Sequence, residues 1–107
     1  MKLGGNMKNI MKQMGKMKEQ MERLQNEAGE KTVEASSGGG MVTVTAKAKG
    51  EISSIVIEPE IISETDIEML QDLVTAAVNE ALYKGQELMK DEVSRFTAGM
   101  GLPPGLI

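Results

Sequence analysis

The chain has no cysteine, no histidine and no tryptophan, and only one tyrosine (Tyr83) and one phenylalanine (Phe96). Without cysteine there is no disulfide framework and no thiolate chemistry, a pattern that suits the cytosol. Without histidine or cysteine, two of the commonest nucleophiles and general bases are missing. Acid pairs such as Glu58/Glu60 and Glu64/Asp66 remain, but loop and helix-cap chemistry accounts for them, so no enzyme is expected. No apolar run approaches the roughly 20 residues of a membrane span. The N-terminus has no signal-peptide hydrophobic region. The expectation is a chain with no membrane, no cofactor, no metal and no small-molecule substrate.

What is present is a core-forming set of Met, Leu, Ile, Val and Ala. Hydrophobic residues make up 40% of 107, enough for a single domain with a modest core. Ten of them are methionines, which make flexible, adaptable contact surfaces. The net charge is −4 and the isoelectric point about 4.9. Taken alone, that argues against a nucleic-acid partner. The charge is uneven, however. Residues 1–28 hold six basic and three acidic side chains, a net of +3, and the remaining residues hold six and 13, a net of −7.

The stretch from Glu34 to Ile57 organises the chain. Val42, Val44, Ala46 and Ala48 alternate with Thr43, Thr45, Lys47 and Lys49. That period of two marks a strand with one buried and one wet face. Ser36 to Gly40 reads as a hairpin loop and Gly50 as a tighter turn. The strands are then Lys31–Ser36, Met41–Lys49 and Glu51–Ile57, an antiparallel meander with a bulge at Ser53-Ser54. Gly38-Gly39-Gly40 is not a phosphate cradle, because it opens into a strand and not a helix N-terminus.

Residues 1–5 read as a flexible arm and Asn6 as the N-cap of a helix that runs to Ala28. Met7, Ile10, Met14, Met17, Met21, Leu24 and Ala28 follow steps of three and four, a heptad seam along about 33 Å of helix. Lys8, Lys12 and Lys16 fall on the opposite face. Pro59 ends the third strand. Ser63 or Thr65 then caps a second helix of about 46 Å, which ends near Thr97. Its first half has a wide apolar face suited to a sheet, and beyond Gly85 the stripe narrows to suit one helix. Gly85 is a weak point within it. Residues 99–107 read as an irregular tail whose Leu102, Leu106 and Ile107 either dock or stay free.

Both helices overhang strands of about 20–24 Å. Their overhanging stripes can pair as an antiparallel arm. The meander leaves two open edges and apolar surface, which a symmetric second copy would cover. The fold class expected is α+β, with a long helix, a three-stranded antiparallel meander and a longer helix, in a homodimer with projecting helical arms. Met41, Val42, Val44 and Val56 are the candidate dimer residues.

Three stretches resemble a known family. They are Asn6-Met7-Lys8-Asn9-Ile10-Met11-Lys12-Gln13, Gly38-Gly39-Gly40-Met41-Val42-Thr43-Val44-Thr45, and Leu70 through Ala81. Their order and spacing, with the Gly-Met-Gly-Leu-Pro-Pro-Gly-Leu tail, are similar to the YbaB/EbfC family of bacterial nucleoid-associated proteins. The resemblance implies a tweezer-like homodimer that binds double-stranded DNA with its helical arms. It also implies a cytoplasmic, nucleoid location, regulation of expression or nucleoid organisation, and links to recombination or repair.

Lysines on the helix face can neutralise phosphates and release counterions. The near absence of aromatics argues against single-strand stacking platforms and favours duplex backbone contacts. The candidate DNA-contacting residues are Lys2, Lys8, Lys12, Gln13, Lys16 and Lys18, with Lys90 and Arg95 on the adjoining helix. The competing reading is a non-enzymatic adaptor that offers its Met-rich helices to a protein partner.

Overall fold

The computed structural model describes residues 3–64 and 66–99. Its order is α1 (Leu3–Gly29), β1 (Thr32–Ser37), β2 (Val42–Lys47), β3 (Glu51–Ile57), α2 (Pro59–Glu64) and α3 (Ile67–Gly99). The sheet is antiparallel throughout, in the order β1-β2-β3. This is the expected α+β helix–meander–helix architecture. No described helix is long and apolar enough to cross a membrane.

The alternation in β2 does what period two predicts. Val42, Val44, Ala46 and Ala48 are buried, while Thr43, Thr45 and Lys47 are half-buried on the other face. α3 covers the buried face with Ala77 and Ala81, which let the helix lie close to the strands. Gly38, Gly39 and Gly40 all take positive φ, at 61°, 68° and 98°. Three consecutive left-handed residues are affordable only for glycine, which explains the run in the β1–β2 hairpin. The bulge falls where expected: Thr45 pairs with Ser54 and Ala46 with Ile52, so Ser53 is the extra residue.

Three polar ties fix α3 along β1. The Ser37 hydroxyl donates to the Leu73 carbonyl at 2.6 Å, the Lys84 ammonium donates to the Glu34 carbonyl at 2.9 Å, and Lys31 pairs with Glu92 at 2.6 Å. Descending β1 while ascending α3, these contacts show that the two elements run in opposite directions. α3 also packs against α1. The whole chain measures 79 × 21 × 18 Å, with a radius of gyration of 20.8 Å. A compact chain of this size would have a radius near 13 Å. The helical arm makes the difference.

Several sequence expectations change. α1 starts at Leu3, so residues 3–5 are helical and Asn6 lies inside the helix and does not cap it. Pro59 does more than end β3: it opens a one-and-a-half-turn helix, α2, whose Ile61 is buried in the core. The cap of α3 is then Asp66, whose carboxylate accepts from the Met69 N–H at 2.7 Å. Ser63 sits within α2, and Thr65 lies outside the described residues. Gly85 is no weak point but a crossing point. A Cβ there would sit 3.2 Å from the Ala48 Cα.

The expected dimer residues also need correction. Val42 and Val44 have 0% exposure within the single chain, because α3 of the same chain covers them. Met41 packs against the same core and does not face away from it. Val56 alone of the four stays open, at 58% exposure.

Candidate nucleic-acid interface

The basic residues fall into two populations. Those on the body are occupied. Lys31 pairs with Glu92, Lys47 with Glu30 at 2.9 Å, and Lys49 with Glu30 at 2.7 Å and Glu51 at 3.3 Å. Hydrogen bonds from Lys49 and then Lys47 hold the Glu30 carboxyl down at about 2, and the Glu30 and Glu51 carboxylates push the Lys49 ammonium up. The hydrogen bond from Lys31 likewise holds the Glu92 carboxyl below its ordinary value.

The second population lies on the distal half of α1. Lys8, Lys12, Lys16 and Lys18 are all exposed, and none enters an ion pair among the described residues. Residues 3–18 contain no acidic side chain at all. Steps of four place Lys8, Lys12 and Lys16 about 6 Å apart along the axis. That is within a Debye length of roughly 8 Å at physiological salt, so their fields add. Like charges at this spacing destabilise a helix by about 0.2–0.5 kcal/mol per pair. An unneutralised lysine stripe therefore works against its own helix unless an anion occupies it. Gln13, together with Asn9, is exposed on the same stretch.

The other half of α1 is different. Arg23 lies among Glu19, Glu22 and Glu27, which compensate it locally. Arg95 is likewise set in an open cleft of about 390 Å³ with Lys31, Lys84, Glu87, Asp91 and Glu92. Three acids and three bases line that cleft, so its charges balance. Lys90 is exposed on the arm half of α3. So Lys8, Lys12 and Lys16 share one face of α1, Gln13 is exposed on the same stretch, and Lys18, seven residues after Met11, falls on the seam side, whereas Arg95 sits in a cleft of balanced charge. Lys2 lies outside the described residues.

The apolar seam of α1 is covered only in part. Met17, Met21 and Leu24 are half-buried and Ala28 is buried, and α1 packs against α3, on which Phe96 is half-buried and Thr97 buried. Met7, Ile10 and Met14 are exposed. Residues 6–16 are all exposed, so about 15 Å or more of α1 projects without cover. α3 stops at Gly99, too soon to reach the outer seam. The sequence period could not reveal this, because the seam runs unbroken past the point where its partner ends. A second exposed apolar group gathers at the opposite end of the chain: Ile55 and Val56 on β3, Ile62 on α2, and Ile67 and Met69 at the start of α3. Ile55 pairs with Val44, so it shares the core face of the sheet, yet it is 44% exposed. α3 lies over β1 and β2 and leaves β3 largely uncovered.

Comparison with known proteins places this arrangement. The model of the YbaB/EbfC DNA-binding family matches residues 3–100. A nucleoid-associated protein of Acetivibrio thermocellus is 54% identical over 103 residues, covering 96% of this chain and 91% of that protein. A nucleoid-associated protein of Bacillus thuringiensis is 50% identical over 102 residues, covering 95% and 94% respectively. The crystal structure of an uncharacterized protein from Helicobacter pylori superposes with a TM-score of 0.68 at 24% identity, covering 78% of this chain and 88% of that one. That last likeness shows the shared fold. With a family match over nearly its whole length and relatives at half identity, the chain belongs to the YbaB/EbfC DNA-binding family.

Proposed function

We propose that the protein is a non-enzymatic, homodimeric, duplex-DNA-binding protein of the bacterial nucleoid that grips the DNA backbone with the distal half of α1. The observation that carries this reading is the row Lys8, Lys12 and Lys16, exposed, without an ion pair among the described residues and on the projecting half of α1, with Lys18 exposed nearby. Each lysine can displace condensed counterions from a phosphate. Gln13 and Asn9 can reach base edges, although backbone contact alone suffices for a protein that coats DNA. Nucleoid organisation and effects on expression, repair or recombination would follow from such coating. The family and the names of the relatives support the nucleoid setting.

The dimer forms, in this reading, through the β3 edge and the neighbouring α2–α3 corner. Ile55, Val56, Ile62, Ile67 and Met69 are exposed apolar side chains close in sequence, beside an unpaired strand edge. A two-fold partner covers both. Two arms would then flank one duplex, which doubles the number of lysines offered.

Gel-shift titration of duplex and single-stranded fragments across salt concentrations tests the DNA reading. Duplex should bind more tightly, with log affinity falling linearly as log salt rises. Preference for single strands would overturn it. Binding of a protein in place of duplex DNA, insensitive to salt, would instead support the adaptor reading based on the methionine face.

A further inference from the structure

Met7, Ile10, Met11 and Met14 form an i, i+3, i+4, i+7 patch on α1, with exposures of 63%, 54%, 69% and 62%. We infer that this patch pairs antiparallel with the same patch on α1 of another dimer, and that the paired arms bridge two DNA duplexes. The inference rests on the duplex-binding reading and adds a second surface to the same arm.

Four observations choose a second copy as the occupant. First, the patch extends a seam that is already in use. Its inner residues Met17, Met21, Leu24 and Ala28 are half-buried or buried within the chain, where α1 packs against α3. The exposed stretch 6–16 is marginal as a lone helix in water, so a covering helix stabilises it. Second, the patch is complementary to itself. Met7 and Met14 fall at a, and Ile10 and Met17 at d. An antiparallel register that sets Ile10 opposite Met14 of the other copy stacks four apolar layers. The bordering e positions then set Met11 beside Met11 and Lys18 beside Met11. The g positions set Gln13 beside Gln13 and Asn6. No two like charges meet. Third, Lys12 lies opposite the seam, with Lys8 and Lys16 to either side of it. Both lysine rows therefore stay on the outside of the pair, one for each duplex. Fourth, the arm tip and the α2–α3 corner lie at opposite ends of a chain 79 Å long, so one two-fold axis cannot pass through both. Arm pairing thus joins dimers and does not close one. Four side chains at roughly 100 Å² apiece bury about 800 Å² over two copies, short of the ~1,200 Å² of a stable pair. Free dimers stay apart, and dimers crowded on DNA pair through their raised effective concentration.

The cysteine-free sequence allows a direct test. Full-length Met11→Cys protein is treated with a short bis-maleimide, with and without long duplex DNA. Duplex should raise the cross-linked yield by roughly tenfold, and the product should sediment as joined dimers. Gly15→Cys, seven residues after Lys8 and so on the lysine side, should cross-link little. A product that sediments as a single dimer, or no product with DNA, would overturn the inference. Ile10→Gln with Met14→Gln then separates bridging from binding. Gel shifts on a duplex long enough for one dimer should match the parent within about twofold, while capture of a free labelled duplex by a bead-tethered one should fall by roughly tenfold. Equal capture by the variant would contradict the inference. So would loss of short-duplex affinity, which would put the seam in DNA binding itself. A parent that binds the short duplex yet captures no second one refutes bridging and leaves the duplex-binding reading standing. A parent that binds no duplex removes both.

Discussion

Gly85→Ala is the sharpest test of how α3 crosses the sheet. In a helix interior this change normally gains up to about 1 kcal/mol. Here the added Cβ would lie 3.2 Å from the Ala48 Cα, 3.4 Å from the Ala48 carbonyl oxygen and 3.5 Å from the Lys47 carbonyl oxygen. Carbon atoms pack best at about 3.5–4.0 Å. All three neighbours are backbone atoms, and their turn is pinned. The Ala48 N–H donates to the Lys31 carbonyl at 2.8 Å, the Lys49 N–H to Gly29 at 3.0 Å, and the Gly50 N–H to Lys47 at 2.9 Å. α3 must therefore lift, which loosens Ala77 and Ala81 on β2. Overpacking of this kind costs about 1–3 kcal/mol. Set against the propensity gain, the net loss is up to about 2 kcal/mol, the full value holding if the pinned backbone does not yield. At about 4–8 °C per kcal/mol for a small domain, melting should fall by up to roughly 10 °C. Differential scanning calorimetry reads this directly. Gly15→Ala is the control, because nothing lies within 4 Å of its Cβ position. It should raise helicity without lowering the melting temperature. A Gly85→Ala protein that melts at or above the parent would refute the close crossing.

Three further outcomes follow from named contacts. Asp66→Ala removes the acceptor for the Met69 N–H and should cost about 1 kcal/mol in thermal melts, with Asp66→Asn retaining most of it. The Glu30 carboxyl is lowered from its ordinary 4.5 to about 2, and that of Glu92 is also lowered, so both contributions are present above the unfolded value and fade as pH falls below it, that of Glu30 through about 2. A carboxyl-carbon NMR titration should place the Glu30 midpoint near 2; a midpoint near 4.5 would mean that its lysine pairs do not persist in solution. Ile55→Asp with Val56→Asp places charge on the uncovered β3 edge and should shift sedimentation at micromolar concentration from dimer to monomer while helicity persists. An intact dimer would remove β3 from the interface.

Much of the fold is legible in the sequence because its signals are local. The Val42-to-Ala48 alternation, the glycine run at Gly38–Gly40, and the extra residue at Ser53 each specify backbone geometry within a few residues. The lysine row is legible too, since the heptad that turns Met7 and Met14 to one side turns Lys8, Lys12 and Lys16 to the other. What is not legible depends on contacts distant in sequence. Ser63 and Thr65 carry capping signals as good as that of Asp66, and only the burial of Ile61 makes residues 59–64 a separate helix. The close approach of Gly85 to Ala48 is invisible in a periodic stripe. Met41 lies beside the wet positions of β2 in an alternation count, yet it packs on the core next to the hairpin. Arg95 looks like a partner of the α1 lysines until the fold sets it in a cleft with Lys31, Lys84, Glu87, Asp91 and Glu92.

The central claim is that the distal lysines of α1 carry duplex affinity. Lys8→Gln, Lys12→Gln and Lys16→Gln together remove charge and keep helix propensity. These side chains are exposed and make no ion pair among the described residues, so folding and dimerisation should be unchanged. If each lysine meets a phosphate on both arms of a dimer, about six contacts are lost, and the slope of log affinity against log salt should flatten by roughly 5. A folded triple variant with the parent's duplex affinity and salt slope would contradict the account.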